Sequence, residues 1–282
     1  KISNPISGLS VACLLFCRKF VISFDWFTNI HRAICIIVFN FTTTMSNPAA
    51  EAKPVDDVQG DGRWMSLHEA FLRDGKEKEP EVVLIGDSLI AKLSQSLLWQ
   101  QMFEPLHSLN FGIGGDRTEN VLWRVLNGEF DLVQPKVIVL LVGTNNYDNT
   151  ADQVTDGILA IVQAIKEKQP TSNLIVMGLL PRGEKPNPLR EKHSTINKRL
   201  AEELQDIPLT TFLKIEDKEF ISSDGIIRRS VMHDFLNLTV DLGYQKVCEP
   251  LLEEIQNLLG TFIKVESTSF ETSSIGGDIA GN

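Results

Sequence analysis

The chain has 282 residues, 43% of them hydrophobic and 23% charged, with a formal net charge of −10 at pH 7. That length accommodates one large α/β domain or two small ones. The acidity argues against nucleic acid or an anionic membrane surface as the main partner, since both require clustered Lys and Arg.

Residues 1–44 differ in character from the rest of the chain. They hold Cys13, Cys17 and Cys35. The apolar stretch Gly8 to Cys17 is shorter than the roughly 20 residues that a membrane span needs. The basic pair Arg18-Lys19 comes after this stretch, whereas a secretory signal carries its positive charge ahead of the apolar region. We therefore expect 1–44 to be a translated leader outside the fold, with the working protein opening at Met45. Residues 45–60 are expected to form a flexible acidic N-terminus, residues 61–260 a single hydrolase-type domain, and the Ser-, Thr- and Gly-rich residues 261–282 a disordered tail. With the leader set aside only Cys248 remains, and one cysteine cannot close an internal disulfide. A reducing, cytoplasmic setting is the inference.

A helix is predicted over Trp64–Leu72. From position 81 short apolar runs alternate with longer amphipathic ones. Strands are predicted at Glu81–Ile85, Ser108–Phe111, Lys136–Val142, Asn173–Met177 and Leu209–Leu213. Several are Val-, Ile- and Leu-rich without alternation, as strands buried on both faces are. Helices are predicted between and after them at Leu89–Phe103, Asn120–Leu126, Ala151–Lys168, Leu189–Gln205 and Leu242–Leu259. In Ala151–Lys168, residues Ile158, Ile161, Val162 and Ile165 share one face. The alternation predicts an α/β fold, a three-layer α/β/α sandwich with a mostly parallel five-stranded sheet of flavodoxin-like type. Ligands of such sheets bind outside the carboxyl ends of the strands.

Four segments come after predicted strands or lie where their chemistry could meet at that edge. Gly86-Asp87-Ser88-Leu89 places a serine hydroxyl at a strand end and helix start, although a serine there is also a common helix cap. Asn110-Phe111-Gly112-Ile113-Gly114-Gly115-Asp116 clusters glycines, so backbone N–H groups can approach a ligand and hold an oxyanion. The same run also suits an ordinary strand–helix turn. Gly143-Thr144-Asn145-Asn146 offers a side-chain amide as a second donor, or simply an Asx-turn. Asp234-Phe235-Leu236-Asn237 sets an acid and an amide three residues apart, on the same side of a turn.

Taken together and in this order, the four segments resemble those of the SGNH, or GDSL, hydrolases. Further stretches resemble the type Ib platelet-activating factor acetylhydrolase catalytic subunits in particular. These are Gly60-Asp61-Gly62-Arg63-Trp64-Met65-Ser66, the run from Pro105 to Asp116, Val121-Leu122-Trp123-Arg124, and the long loop from Gly178 to Arg190. The likeness covers roughly Val58 to Leu259. It implies that Ser88 is the acylated nucleophile. It implies an oxyanion hole made by the Ser88 N–H, Gly115 and Asn145, and an Asp234 that orients a base three residues later. It further implies a dimer, homo- or hetero- with a paralogue, that associates with a β-propeller regulator of the dynein motor. Acetylated phospholipid would be the substrate, in lipid metabolism.

The position of the base is Asn237. An amide has no basic nitrogen near neutral pH, and loss of one triad member typically lowers turnover by about 10⁴- to 10⁶-fold. The neighbouring segments depart as well: Ser222-Ser223-Asp224-Gly225 and Arg229-Ser230-Val231-Met232 stand where the family usually has His-Ser-Asp-Gly and His-Asp-Met. Either the chain is an impaired hydrolase kept as a binding partner, or it remains an active esterase that removes acetyl groups through an unexpected base. His233 adjoins the orienting acid but sits four residues short of the required position. His193, His107, His68 and His31 read as structural. No metal site is expected, because His and Cys do not cluster at ligand spacing. No dinucleotide cofactor is expected either, because Arg117 breaks the Gly112-x-Gly114 pattern.

Overall fold

The structure, a computed structural model, describes residues 46–274, with side chains to Gly260. The expected leader 1–44 therefore lies outside the described residues. Five strands form one sheet: β1 (Val82–Gly86), β2 (Ser108–Gly112), β3 (Val137–Leu141), β4 (Asn173–Met177) and β5 (Thr210–Leu213), in the order β2-β1-β3-β4-β5. Every pairing is parallel, so the sheet is wholly rather than mostly parallel. All residues of β1 and β3 are buried, as the unbroken apolar runs require of central strands covered on both faces. The edge strand β5 is only half-buried and carries Thr210 and Thr211.

Helices α1 (Arg63–Glu77), α2 (Ser88–Leu93), α3 (Thr118–Arg124), α4 (Ala151–Lys168), α5 (Pro188–Glu203) and α6 (Leu242–Ser274) flank the sheet. Helix α4 has the predicted bounds. Its first turn is closed by a reciprocal cap: Thr150 Oγ1 accepts from Gln153 N, and Gln153 Oε1 accepts from Thr150 N. Its buried face carries Val154, Ile158, Ile161, Val162 and Ile165. Each such side chain contributes roughly 1.5–3 kcal/mol on burial. Helix α6 continues to Ser274, beyond the Leu259 at which periodicity ended it.

The predicted helix Leu89–Phe103 is two pieces. Helix α2 stops at Leu93, and a π-helical turn runs Trp99–Phe103. Serine hydroxyls cause the break. Ser94 Oγ donates to Ala91 O at 2.8 Å and Ser96 Oγ to Leu93 O at 2.7 Å, drawing carbonyls away from the helical ladder. Ser96 then receives Trp99 N on its own oxygens and starts the next turn.

The order β2-β1-β3 puts a topological switch point at the carboxyl end of β1, between its two neighbours, where doubly wound sheets open a crevice. Gly86 ends β1 there. A Cβ on Gly86 would lie 2.0 Å from Leu141 O and 2.9 Å from Ile90 Cγ1, so only glycine lets β3 and α2 close over that strand end.

Candidate active site

Ser88 is the first residue of α2, half-buried and directly beyond the end of β1. The N–H groups of a first helical turn have no intrahelical partner. Asp87 accepts that of Leu89 on Oδ1 at 2.9 Å, while the Ser88 N–H stands at the helix entrance. Asp87 is itself buried, and its second oxygen has no hydrogen-bond partner. Burial pushes its carboxyl up to about 7, against the opposing pull of the Leu89 N–H.

The glycine loop after β2 comes next to the serine. A Cβ on Gly114 would sit 3.9 Å from Ser88 Cβ. Gly115 has φ +90°, a left-handed conformation open to glycine at little cost, and space around its Cα is free. Asn145 lies beyond the end of β3, and its Nδ2 donates to Asp116 O at 2.8 Å. A primary amide has two N–H groups, so one remains available to an anion beside the glycine loop. The loop that carries Asn145 is held from several sides. Lys192 Nζ donates to the carbonyls of Asn146, Tyr147 and Asn149, Arg182 Nη1 donates to Thr144 O at 2.7 Å, and Arg117 pairs with Asp148.

Beneath the glycine loop lies a buried charge network. Arg124 is fully buried. It pairs with Asp116 Oδ2 at 2.9 Å and Glu129 Oε2 at 2.7 Å, and donates to Phe111 O and Gly86 O at the ends of β2 and β1. Trp64 Nε1 donates to Asp116 Oδ1, and His68 Nδ1 lies 2.8 Å from Glu129 Oε1. Burial raises the Asp116 carboxyl to about 6 despite Arg124. Sequence reasoning missed this network. Positions 64, 68, 116, 124 and 129 follow no local pattern, and the only available hint was an arginine and a glutamate in otherwise apolar helical surroundings.

The last segment lies in irregular chain between β5 and α6. Asp234 Oδ1 accepts from the backbone N–H groups of Leu236, at 3.1 Å, and Asn237, at 2.6 Å; Oδ2 accepts from Asn237 Nδ2 at 2.6 Å. Burial works to raise the Asp234 carboxyl, and the hydrogen bonds from Asn237 and Leu236 outweigh it, so it lies below the usual range. Residue 237 thus makes the hydrogen bond to Asp234 that an imidazole Nδ1–H would make, with an amide in its place. Its Oδ1 accepts from Lys92 Nζ at 2.7 Å, and Lys92 stands on α2, the helix that Ser88 begins. Nothing in the sequence had singled out Lys92.

The chain also matches known proteins. The profile of the GDSL-like lipase/acylhydrolase family matches residues 84–224. The platelet-activating factor acetylhydrolase IB subunit alpha1 of Bos taurus is 53% identical over 213 residues, covering 76% of this chain and 91% of that one. This chain belongs to that family. The alpha2 subunit of Rattus norvegicus is 52% identical over 214 residues, with 76% and 93% covered. Among solved structures, a GDSL-like lipase from Bacteroides thetaiotaomicron superposes with a TM-score of 0.57 at 17% identity, over 69% of this chain and 96% of that one, which establishes the shared fold. Against that family background, the sheet edge brings together Ser88 and the Gly114-Gly115 turn, with Asn145 bonded to the same loop. Asp234 and Asn237 join through Lys92.

The histidines divide by environment. His193 is buried, with Nδ1 2.8 Å from Leu180 O, and burial lowers it to about 4, so it is neutral and holds the loop after β4. His107 is exposed at the entry to β2, and His68 belongs to the buried network. His233 is exposed, with Nε2 3.7 Å from Asp234 Oδ2. His31 lies outside the described residues. Beside the glycine turn opens a groove of about 590 Å³ lined by Val58, Trp64, Met65, Ile113, Gly114 and Gly115. Among the described residues, no helix is long and apolar enough to cross a membrane.

Proposed function

We propose that this chain is a catalytically impaired acetylhydrolase subunit that serves as a dimeric, cytoplasmic binding partner of a dynein-regulating β-propeller protein. The observation that carries the reading is the Asn237 amide seated on Asp234, in the position of the base. Ser88 acts as a nucleophile only when a base takes its proton. Asn237 has no lone pair of suitable basicity, and its carbonyl oxygen is already occupied by Lys92. The lost transition-state stabilisation is on the order of 5–8 kcal/mol, from a drop of about 10⁴ to 10⁶ in turnover. His233 does not compensate. Its Nε2 lies 3.7 Å from Asp234 Oδ2, beyond hydrogen-bond range, so the carboxylate does not orient the ring, and the ring is exposed.

Ser88, Gly115 and Asn145, the residues assigned as oxyanion donors, are all retained, which supports binding of acetyl esters even where they are not cleaved. The relatives are named as subunits, which supports assembly with a second copy or a paralogue; assembly surfaces do not need the base. The test is acetyl-ester hydrolysis by the natural protein and by Ser88→Ala, with sedimentation of the natural protein alone and with the propeller. Expected are a turnover at least about 10⁴-fold below that of ordinary serine esterases and a dimer that co-sediments with the propeller. Ordinary turnover that Ser88→Ala abolishes would end the impaired reading, and failure to co-sediment would end the partner reading.

A further inference from the structure

Lys92 lies four residues after Ser88 on α2, one helical turn on and on the same face. Its Nζ donates to Asn237 Oδ1 at 2.7 Å, and Asn237 Nδ2 donates to Asp234 Oδ2 at 2.6 Å. The ammonium, amide and carboxylate form a directed relay, with donors all pointing from α2 toward Asp234. An amide suits the middle of this relay because it accepts on one side and donates on the other. Both hydrogen bonds are charge-assisted, from the ammonium at one end and to the carboxylate at the other.

A neutral imidazole could occupy the same place. Its Nδ1–H would donate to Asp234, and its Nε2 would receive Lys92. That Nε2 lone pair is the one a triad base uses to take the serine proton. A lysine ammonium has three donors and no acceptor, so it can only fill the lone pair, never free it. A cation at this range also disfavours the imidazolium that forms during catalysis. We infer that Lys92 is a positioning residue that holds side chain 237 by its acceptor atom and would fill the lone pair of any base placed there, so that recovery of hydrolysis needs changes at both 92 and 237. This rests on the reading that Asn237 is what disables the site.

The experiment compares Asn237→His, Asn237→His with Lys92→Met, and Asn237→His with Lys92→Arg. Acetyl-ester kcat/KM is followed against pH, and the introduced imidazole is titrated by NMR in each protein. Methionine removes the donor and the charge, whereas arginine keeps both. The Met double variant is expected to exceed Asn237→His by about tenfold or more in kcat/KM, the scale of about 1.4 kcal/mol. The Arg double variant should stay with the single one. The imidazole should titrate roughly one pH unit lower with Lys92 or Arg present than with Met, as a unit charge near 4 Å in water implies. The acidic limb of the rate profile, where the base gains its proton, should move with it. Lys92 is exposed, so its replacement should leave melting unchanged, and a melting curve checks this.

Equal kcat/KM and equal imidazole titration in the single and Met double variants would overturn the inference, at background activity as much as above it. The reading on which it rests fails separately: ordinary turnover in the unmodified chain removes that reading, whatever the variants do.

Discussion

Two carboxylates at the candidate site, Asp87 beside the serine and Asp234 beneath residue 237, behave in opposite ways. Asp234 is half-exposed, bonded by three N–H donors and held below the usual range. Asp87 is buried with one oxygen unpartnered, and burial pushes it up to about 7. The sign for stability comes from proton binding. Asp87 binds its proton more tightly folded than unfolded, so its contribution is fully present below the unfolded value near 4. It is lost as pH rises through about 7. Asp87→Asn keeps a capping oxygen for Leu89 N but cannot ionise. Relative to the natural protein, Asp87→Asn should therefore gain stability steadily from about pH 4 to about pH 7, with the difference level above that. Urea unfolding across this range measures it, and a flat difference would show that Asp87 is not the group responsible. His193 acts over nearly the same range with the opposite sign. Its folded value near 4 lies below the unfolded one, so it costs stability as pH falls from about 6.5 to about 4. Taking the variant minus the parent cancels that slope.

At the scale of elements, the buried Arg124 ties three pieces together: the ends of β1 and β2 through Gly86 O and Phe111 O, and the glycine loop through Asp116. Removing it leaves Asp116 and Glu129 buried beside each other without their cation. Arg124→Met should lower stability by about 3–5 kcal/mol, the usual result of breaking a buried pair by one partner. Equilibrium unfolding reads this directly, and a loss under about 1 kcal/mol would mean the cluster relaxes by protonation. The Asn145 loop depends on a different cation. Lys192→Met removes the donor to three of its carbonyls. Amide hydrogen exchange over residues 143–149 should quicken, with little change in α4. Strand positions were legible in the sequence because burial on both faces leaves an unbroken apolar run, as Val82–Gly86 and Val137–Leu141 do. The break after α2 was not, because it depends on which carbonyls the hydroxyls of Ser94 and Ser96 reach. The four site segments were legible as spacing. The relay through Lys92 was not, since a lysine one turn after a serine is unremarkable until residue 237 is seen opposite it.

At the scale of the whole molecule, the sheet core and the segment 234–237 are distinct parts of the fold. The sheet and its covering helices supply the burial, and β1, β3 and β4 are almost wholly inaccessible. The segment from Asp234 to Asn237 is short, partly exposed and stitched mainly by its own hydrogen bonds. A fold with that division can vary at residue 237 without losing its shape, which is the condition that the proposed impaired subunit requires. The same division predicts that stability and turnover respond to different substitutions. Asn237→His combined with Lys92→Met should raise acetyl-ester turnover yet shift the melting temperature by no more than about 2 °C, because Lys92 is exposed and residue 237 only half-buried, outside the core, where substitutions usually stay within about 0.5 kcal/mol. Arg124→Met should lower melting by far more. Sedimentation of the three proteins should give the same assembly for the natural chain and the double variant. A double variant that gains turnover only by changing its assembly would show that site and interface are one structure, and that residue 237 does not act on turnover alone.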